Sequence, residues 1–214
     1  MKNIDKISGY HYADAGLSHS HGYLLPALLD MLKSMNLGTD QRRIFELGCG
    51  NGAIADQLTQ RGYDVTGVDP SEEGIAQANR TYPGLKLYQG SAYDDLAGQF
   101  GRFPVVISLE VVEHVYFPRQ FAATLFDLLE PGGGGAIIST PYHGYLKNLA
   151  LALTNKMDDH FTALWDYGHI KFWSMRTLRQ LLVEAGFVNI RFMRVGRVSA
   201  LAKSMIAIAG TNRQ

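Results

Sequence analysis

The chain lacks several features that would place it in other classes of protein. Cys49 is its single cysteine, so no intrachain disulfide can form. It has no run of about 20 apolar residues that could span a bilayer, and no signal-peptide pattern begins it, so we expect a cytoplasmic protein. With 20 basic and 20 acidic residues the formal net charge is zero, which argues against an electrostatic nucleic-acid binder.

Length and organisation indicate one domain. A chain of 214 residues can build a full core and is shorter than chains in which the core usually splits. No internal repeat, low-complexity tract or interdomain linker is evident. We therefore interpret residues 1–214 as a single domain, in which short apolar runs alternate with helical patterns.

The most informative motif is a glycine-rich turn. It reads Glu46-Leu47-Gly48-Cys49-Gly50-Asn51-Gly52 and lies between an apolar strand pattern and a helical pattern over residues 53–58. Alternating glycines remove side chains from the turn, so a bulky ligand can lie against the backbone. The order of strand, glycine loop and helix is typical of a nucleotide-binding unit. The third glycine of the dinucleotide pattern G-x-G-x-x-G is missing, which makes a nicotinamide-dependent oxidoreductase the less favoured reading.

Four further strand patterns follow, and polar residues stand at the ends of two of them. The patterns cover residues 63–69, 85–89, 104–109 and 136–140, with helical patterns between them. Asp69 ends the first, and Glu110-Val111-Val112-Glu113-His114 follows the third. In open α/β sheets, ligands bind outside the carboxyl ends of the strands. The alternation predicts a doubly wound parallel sheet with its site at that edge. A last strand is predicted over residues 199–209.

In its glycine motif and in Asp69, the chain resembles the class I methyltransferases that use S-adenosylmethionine. The resemblance runs from about residue 44 to residue 192. It implies a Rossmann-like, mostly parallel seven-stranded sheet with an antiparallel last strand, and S-adenosylmethionine as cofactor. It also implies the residues that contact the cofactor: Glu46, Gly48, Cys49, Gly50, Asp69, Pro70, Ser91, Ala92, Leu109 and Tyr12. Many relatives carry Asp where this chain has Ser91. The hydrogen bond to the adenine would here have to come from a hydroxyl or from the backbone.

The E-x-x-E-H segment leaves three hypotheses open. If it begins a helix, Glu110, Glu113 and His114 share one face. His114 or Glu113 could then take a proton from an acceptor hydroxyl. Alternatively the three could hold a divalent ion with one more imidazole, from His143, His160 or His169. In the third hypothesis these side chains only orient loops and cofactor. A metal is possible but is not expected, because the E-H pair is common in relatives that have none.

Residues 1–40 are predicted to form a lid over the cofactor. Tyr12, His19 and His21 precede a helical pattern of leucines. In the resembling family such a segment brings these groups near the methyl donor or the acceptor. In the alternative interpretation, the segment only forms the start of a helix, and the imidazoles of His19 and His21 are exposed to solvent.

Residues 141–173 form a long insertion after the fifth strand, with helical and aromatic character. Such length indicates a structure and a role of its own. The first hypothesis is a flap over an apolar acceptor, with His143 and His169 fixing orientation and His143 a candidate catalytic residue. The second is peripheral contact with a membrane through residues 145–165, near Lys147 and Lys156. The third is a helix packed on its own core.

The sequence therefore predicts a methyltransferase that acts on an oxygen of a small, partly apolar acceptor. The insertion and the E-x-x-E-H segment make ubiquinone-biosynthesis O-methyltransferases the nearest named relatives. A non-catalytic protein that binds S-adenosylmethionine is the alternative, since a binding site does not prove turnover. The acceptor's identity and the oligomeric state are left open.

Overall fold

The computed structural model describes residues 14–35, 37–38, 41–132, 134–166 and 168–212. Seven strands form one sheet: β1 Arg43–Leu47, β2 Asp64–Asp69, β3 Lys86–Gln89, β4 Val105–Leu109, β5 Gly135–Pro141, β6 Val188–Val195 and β7 Ser204–Gly210. Eight helices accompany them in the described part of the chain: α1 His21–Ser34, α2 Ala53–Thr59, α3 Glu72–Thr81, α4 Leu96–Phe100, α5 Pro118–Asp127, α6 Tyr145–Leu153, α7 Met157–Phe161 and α8 Met175–Glu184.

The strand order across the sheet is β3-β2-β1-β4-β5-β7-β6. Strands β1 to β5 are parallel, and β7 is antiparallel to both of its neighbours. The predicted doubly wound sheet with an antiparallel last strand is confirmed. The predicted bounds of that strand were wrong at one end, because residues 199–201 form a short 3-10 turn and β7 begins at Ser204.

Alternate side chains of the central strands enter two separate cores, one on each face of the sheet. Ile44 and Val105 pack with the leucines of α1 and with α2, whereas Phe45 and Val106 pack with α5 and α8. Successive residues of a strand point to opposite faces, so a continuous apolar run is what a sheet covered on both faces requires. The two cores fix the sheet between two layers of helices.

Capping residues set the ends of several helices. The Ser71 hydroxyl accepts the Gly74 N–H at the start of α3, and Ser174 with Thr177 forms a capping box at the start of α8. Gly186 follows α8 with φ +101°, a conformation that favours glycine. These signals are local, so the sequence alone reveals them.

The insertion between β5 and α8 contains the two short helices α6 and α7. The predicted helical character is confirmed, whereas its role as a flap stays a prediction. Across the described ranges, every helix is too short or too polar to traverse a bilayer.

Two neighbouring residues of α8 provide a test of this core. Leu182 is fully buried among the helices and strands of one face, and Val183 beside it is 57% exposed. We expect Leu182→Ala to lower the free energy of unfolding by about 2–5 kcal/mol because it leaves a cavity. Val183→Ala should change it by less than about 0.5 kcal/mol. Urea unfolding followed by circular dichroism measures both, and equal losses would contradict the packing described.

Candidate active site

The glycine loop turns sharply at the carboxyl end of β1 and packs closely on its neighbours. Gly48, Gly50 and Gly52 all have positive φ, at 85°, 52° and 79°. A Cβ on Gly48 would overlap Cγ2 of Val111, in the loop after β4. Only glycine fits both the conformation and the space. The loop therefore lies directly against the segment that follows β4.

The loop's N–H groups are already used within the protein. Gly48 and Cys49 both donate to the Val68 carbonyl, at 2.8 and 3.0 Å, and Gly50 donates to the Asp69 carboxylate. The Cys49 side chain is buried against Gly67 of β2, and burial raises the pKa of its thiol. A ligand at this loop would contact its carbonyls and Cα atoms. The predicted contacts through Gly48, Cys49 and Gly50 stay predictions.

Glu46 provides a buried carboxylate beside the loop. It is the fourth residue of β1, and its Oε2 atom is buried without a hydrogen-bond partner among the described residues. Burial, and then the nearby charge of Asp69, raises the pKa of Glu46 well above its usual value. Buried polar atoms are nearly always hydrogen-bonded. The orphaned oxygen therefore fits a ligand that brings a donor or a positive charge.

Asp69 ends β2 and ties the glycine loop to the start of α3. Its two carboxylate oxygens accept the N–H groups of Gly50 and Ser71 at 2.9 and 2.8 Å. Burial raises its pKa, although the two backbone hydrogen bonds act in the opposite direction. Each oxygen keeps a further acceptor position, which suits the two hydroxyls of a ribose. Pro70 follows at the exposed rim.

The predicted adenine side is organised by the loop after β3. Ser91 accepts the Tyr93 N–H with its hydroxyl, and the Asp94 carboxylate accepts the Ser91 N–H at 2.7 Å. Asp95 caps α4 through the Gly98 N–H. Both acidic side chains thus have local structural partners. Ser91, with Ala92 beside it, stays the predicted adenine contact, and Leu109 ends β4 at the same edge of the sheet.

The N-terminal segment crosses this cradle. The Asn51 side-chain amide donates to the carbonyls of Asp14 and Gly16, at 2.8 and 3.0 Å, and the Tyr82 hydroxyl donates to the Ala15 carbonyl. Residues 14–16 therefore lie across the glycine loop and α3. Tyr12 lies outside the described residues, so its predicted contact is untested.

The two histidines of the H-x-H motif face different partners. His19 Nε2 lies 2.8 Å from Lys203 Nζ, whereas His21 Nδ1 accepts the Ser18 N–H. His21 thus helps to form the start of α1, and His19 contacts the residue before β7. Neither arrangement resembles a metal site.

The E-x-x-E-H segment forms a turn, so the conditional prediction of a helix was wrong. Glu110 has φ +55°, and the His114 N–H donates to the Val111 carbonyl at 2.9 Å. The left-handed conformation of Glu110 breaks the helical spacing between it and the residues three and four positions later. The Glu110 carboxylate accepts hydrogen bonds from the Ser139 and Ser204 hydroxyls, at 2.7 and 3.2 Å. The three side chains therefore do not share one helical face.

Glu113, His114 and His169 come together instead, with one potential ligand atom of each lying within 4.8 Å of the others. Glu113 Oε1 is 4.0 Å from His169 Nε2, and the rings of His114 and His169 have centroids 4.9 Å apart. Neither carboxylate oxygen of Glu113 makes a well-formed hydrogen bond within the described residues, although the Thr140 hydroxyl and the Glu113 N–H are near enough to oppose the rise in its pKa. We refer to these three residues as the Glu113 cluster.

Electrostatics of the Glu113 cluster favour uncharged forms. Burial and then the charge of Glu110 raise the pKa of Glu113 well above its usual value. Burial, followed by the charges of His114 and His160, lowers the pKa of His169 to about 4. His114 Nδ1 lies 3.2 Å from the Gly168 carbonyl oxygen. Because a carbonyl oxygen can only accept a hydrogen bond, Nδ1 must carry the proton, and a neutral His114 then has its lone pair on Nε2. Within the cluster, a neutral His114 can take up a proton at Nε2, and Glu113 can do so only once it has ionised.

The same donor set fits a divalent ion. One carboxylate and two imidazoles suit a transition metal, and the unpartnered Glu113 oxygens fit a cation. His169 supplies the additional imidazole that the sequence required. Glu110, a weak candidate in the metal hypothesis, does not belong to this group of ligand atoms in the described chain, where His169 joins Glu113 and His114.

The insertion holds the Glu113 cluster in place. The Glu113 carbonyl accepts the N–H groups of Ile170 and Lys171 at 2.9 and 3.0 Å, and the Trp173 indole donates to the Val112 carbonyl. Trp165 packs edge-on against His114 and His169. The segment from β5 to α8 thus returns over the turn after β4.

His143 lies in a separate group of rings within the insertion. It stacks on Phe161 with centroids 5.7 Å apart and meets Phe172 edge-on. Burial, followed by the charge of Lys147, lowers its pKa to about 4, and Nδ1 is buried without a partner in the described structure. His143 therefore stays a candidate, but it is not part of the Glu113 cluster.

Sequence reasoning missed Tyr23 and Ser204. The Tyr23 hydroxyl lies 3.2 Å from Ser204 Oγ, which also donates to Glu110. This chain of contacts links α1, β7 and the turn after β4. No local signal marks either residue, since their proximity follows from the placement of β7 beside β5.

A seven-stranded sheet of this order, with a glycine loop after β1 and a carboxylate ending β2, defines a class I methyltransferase fold. Residues 17–191 match the family described as a methyltransferase domain, and the chain belongs to that family. The prediction of the S-adenosylmethionine-dependent class is therefore confirmed.

The similar proteins include two ubiquinone biosynthesis O-methyltransferases. That of Caulobacter sp. (strain K31) is 38% identical over 114 residues, which are 51% of this chain and 44% of the relative. That of Psychrobacter arcticus is 28% identical over 169 residues, 75% of this chain and 64% of the relative. The chain thus spans about half the length of the curated relatives it matches.

The fold is also similar to solved structures. The magnesium protoporphyrin IX methyltransferase of Synechocystis PCC 6803, which has bound SAH, superposes with a TM-score of 0.63. It is 21% identical, and the match covers 88% of this chain and 82% of that one. At this identity the likeness concerns the fold alone.

The close contact of Gly48 with Val111 can be tested with a second glycine as control. We expect Gly48→Ala to lower the free energy of unfolding by about 1–3 kcal/mol, because the added carbon forces the loop and the β4 segment apart. A Cβ on Gly84 meets nothing within 4 Å, so Gly84→Ala should be nearly neutral. Urea unfolding compares the two, and indistinguishable midpoints would contradict the contact.

Asp69 is expected to bind the ribose of the cofactor. Asp69→Ala should weaken binding of S-adenosylhomocysteine by about 1–3 kcal/mol, because a charged acceptor is lost. Asp64 begins the same strand and pairs with Lys86 at the surface, so Asp64→Ala should leave the affinity unchanged. Isothermal titration calorimetry measures both, and an unchanged affinity for Asp69→Ala would reject the ribose role.

Proposed function

We propose that this protein transfers the methyl group of S-adenosylmethionine to an oxygen of a small, partly apolar acceptor. One observation carries the proposal: the glycine loop contacts Val111, and the buried Glu113, with its cluster, lies two residues further along the same turn. A methyl donor at the loop and a proton-accepting group on the next central strand would then be neighbours. In-line transfer requires that arrangement, and much of its acceleration comes from positioning.

The lining of the acceptor side supports a partly apolar substrate. Trp165 packs on the Glu113 cluster, and Phe161 and Phe172 lie in the adjoining ring group around His143. In this proposal residues 141–173 act as the flap over the acceptor, and the N-terminal segment acts as a lid over the cofactor. Pockets for small molecules are typically apolar with a few convergent polar groups.

Proton removal in this proposal belongs to the Glu113 cluster. A hydroxyl oxygen becomes a better nucleophile toward the sulfonium methyl as its proton leaves, and a base within hydrogen-bond reach accelerates that step. His114 Nε2 or the Glu113 carboxylate would receive the proton. The naming of relatives as O-methyltransferases supports an oxygen acceptor.

A divalent ion held by the same three residues is the second way to activate the acceptor. Such an ion would lower the pKa of a hydroxyl bound to it. Activity in the presence of a chelator distinguishes the two possibilities. Only an enzyme that uses a bound ion would lose activity in chelator and regain it on addition of Mg²⁺, Mn²⁺ or Zn²⁺.

Two other functions compete with methyl transfer. A non-catalytic S-adenosylmethionine-binding protein would use the same cradle without the Glu113 cluster. A nicotinamide-dependent oxidoreductase is disfavoured by the missing third glycine. Stabilisation of the fold by NADH and not by S-adenosylhomocysteine would favour the oxidoreductase.

Transfer of a tritiated methyl group tests the proposal directly. The purified protein is incubated with labelled S-adenosylmethionine and an extract of the source organism, with and without chelator, and the products are partitioned between organic and aqueous phases. We expect label in the organic phase. Label confined to the aqueous phase would contradict a partly apolar acceptor, and no label in either phase would favour the binding protein.

Substitutions in the Glu113 cluster test proton removal. We expect Glu113→Gln and His114→Ala each to lower kcat by about 100-fold or more, while the affinity for S-adenosylhomocysteine changes little. Glu184 pairs with Arg119 at the surface, so Glu184→Gln should be neutral. Because the pKa of Glu113 is raised, the wild-type rate should increase with pH as Glu113 ionises, and Glu113→Gln should remove that increase. Unchanged rates across the pH series would reject the assignment.

A further inference from the structure

The insertion contains a second group of buried polar atoms, separate from the Glu113 cluster. His143 Nδ1, His160 Nε2 and Asn148 Oδ1 are buried, and none of them makes a well-formed hydrogen bond within the described residues. The Asn148 side chain is nevertheless near enough to oppose the fall in the pKa of His143 that burial causes. His143 as a whole is 8% exposed. Because buried polar atoms are nearly always hydrogen-bonded, three such atoms in one segment indicate a place where a ligand supplies the hydrogen bonds.

Aromatic rings surround these atoms. His160 lies tilted against His143, with ring centroids 5.4 Å apart, and Phe161 stacks on His143 at 5.7 Å. Phe172 meets His143 and Phe161 edge-on, at 5.1 and 4.8 Å. Pockets for small molecules combine apolar and aromatic side chains with a few polar groups. This group of rings has that composition.

Lys147 adds a positive charge to the group. It lies in the first turn of α6 and donates to the Tyr142 carbonyl at 2.9 Å, beside His143. Burial, and then the charge of Lys147, lowers the pKa of both His143 and His160. At neutral pH both imidazoles are therefore uncharged, and each has one N–H donor. We refer to His143, Lys147, Asn148 and His160 as the insertion subsite.

The charge of Lys147 is only partly offset. Lys147 makes no ion pair with a carboxylate in the described part of the chain. Burial, and then the charge of Arg197, lowers the pKa of Lys147, while Glu110 acts in the opposite direction. The Glu110 carboxylate accepts its hydrogen bonds from the Ser139 and Ser204 hydroxyls. A cation beside N–H donors favours an anionic ligand.

We propose that the insertion subsite binds a carboxylate on the methyl acceptor. This assignment rests on the proposed function, whose acceptor would then be a partly apolar organic acid. The Lys147 ammonium and the two imidazole N–H groups would donate to the carboxylate oxygens, and Phe161 and Phe172 would contact the apolar part. Hydrogen bonds with an ionised partner are about twice as strong as neutral ones, so the subsite would distinguish an acid from its neutral analogue.

Hydrogen bonds connect the insertion subsite to the Glu113 cluster. The His143 N–H donates to the Trp173 carbonyl, and the Trp173 indole donates to the Val112 carbonyl, each at 3.1 Å. Val112 directly precedes Glu113. The subsite is therefore tied to the turn after β4, and an acceptor anchored by its carboxylate would present a hydroxyl to the cluster. Such positioning can supply much of the acceleration of a methyl transfer.

Helix α7 would admit the acceptor. It carries His160 and Phe161, none of its five residues is buried, and a residue in the left-handed conformation stands on each side of it. These are Asn155, with φ +55°, and Thr162, with φ +39°. A β-branched residue such as threonine rarely adopts this conformation. Rotation at these two positions would move His160 and Phe161 away from His143.

Phenylacetate and 2-phenylethanol test the inference, because both carry a benzyl group and only the first has a carboxylate. Isothermal titration calorimetry measures their binding to protein saturated with S-adenosylhomocysteine. We expect phenylacetate to bind about tenfold more tightly. Lys147→Met should remove most of that preference, because the ammonium is lost. Lys156→Met, at an exposed lysine of the same insertion, should keep it.

The imidazole contribution has its own pair of variants. His143→Phe keeps a ring between Phe161 and Phe172 and should weaken phenylacetate binding several-fold, with little effect on 2-phenylethanol. His143→Gln keeps an N–H donor and should lose less. Retained affinity for S-adenosylhomocysteine shows that each variant is folded.

Partition of the tritiated product gives a second measurement. A carboxylic acid is ionised at neutral pH and protonated in acid, so the product should enter the organic phase more fully after acidification. Partition that does not change on acidification would overturn the inference.

Equal affinity of the wild type for the two probes, no binding of phenylacetate, or a preference that survives Lys147→Met would also overturn it. Probe binding does not depend on turnover. A protein that prefers phenylacetate but transfers no methyl group would therefore contradict only the proposed function. A protein that methylates an uncharged acceptor and lacks the preference would contradict only the carboxylate subsite.

Discussion

The contact between Gly48 and Val111 is the constraint on which the rest of the site depends. Strands β1 and β4 are neighbours at the centre of the sheet, and their following loops touch because position 48 has no side chain. That contact puts the glycine loop directly beside the E-x-x-E-H turn. Donor and acceptor chemistry can therefore share one edge of the sheet, as ligand sites of open α/β folds generally do.

Three buried carboxylates, Glu46, Asp69 and Glu113, and the half-buried Glu110 near Lys147 give this edge its electrostatic character. Burial raises the pKa values of Glu46, Asp69, Glu110 and Glu113, and for Glu110 the value is about 7. Buried acids without a cationic partner are costly. A positively charged ligand at this edge would relieve part of that cost, and a sulfonium carries such a charge. The chemistry of the proposed donor therefore agrees with the charges that the fold has buried.

The insertion joins two properties of the protein. Its inner side holds His169 and Trp165 against the turn after β4, and its first helix turns apolar side chains outward. One segment thus completes the candidate active site and also presents apolar side chains to solvent.

The sequence by itself determined the sheet, the glycine loop, the carboxylate ending β2 and the capped helices, because those depend on local periodicity and on residues close in the chain. It also predicted the insertion by its length. Only the tertiary structure decided that Glu110 and Glu113 do not share a helical face, because a left-handed residue at position 110 prevents a helix there. It also decided that His169 takes the place of Glu110 in the cluster, although His169 lies 56 residues after Glu113 in the sequence. In the same way, Ser204 donates to Glu110 from 94 residues further along the chain. Long-range pairing has no local signal, so the packing of the insertion and of β7 had to be seen in the folded protein.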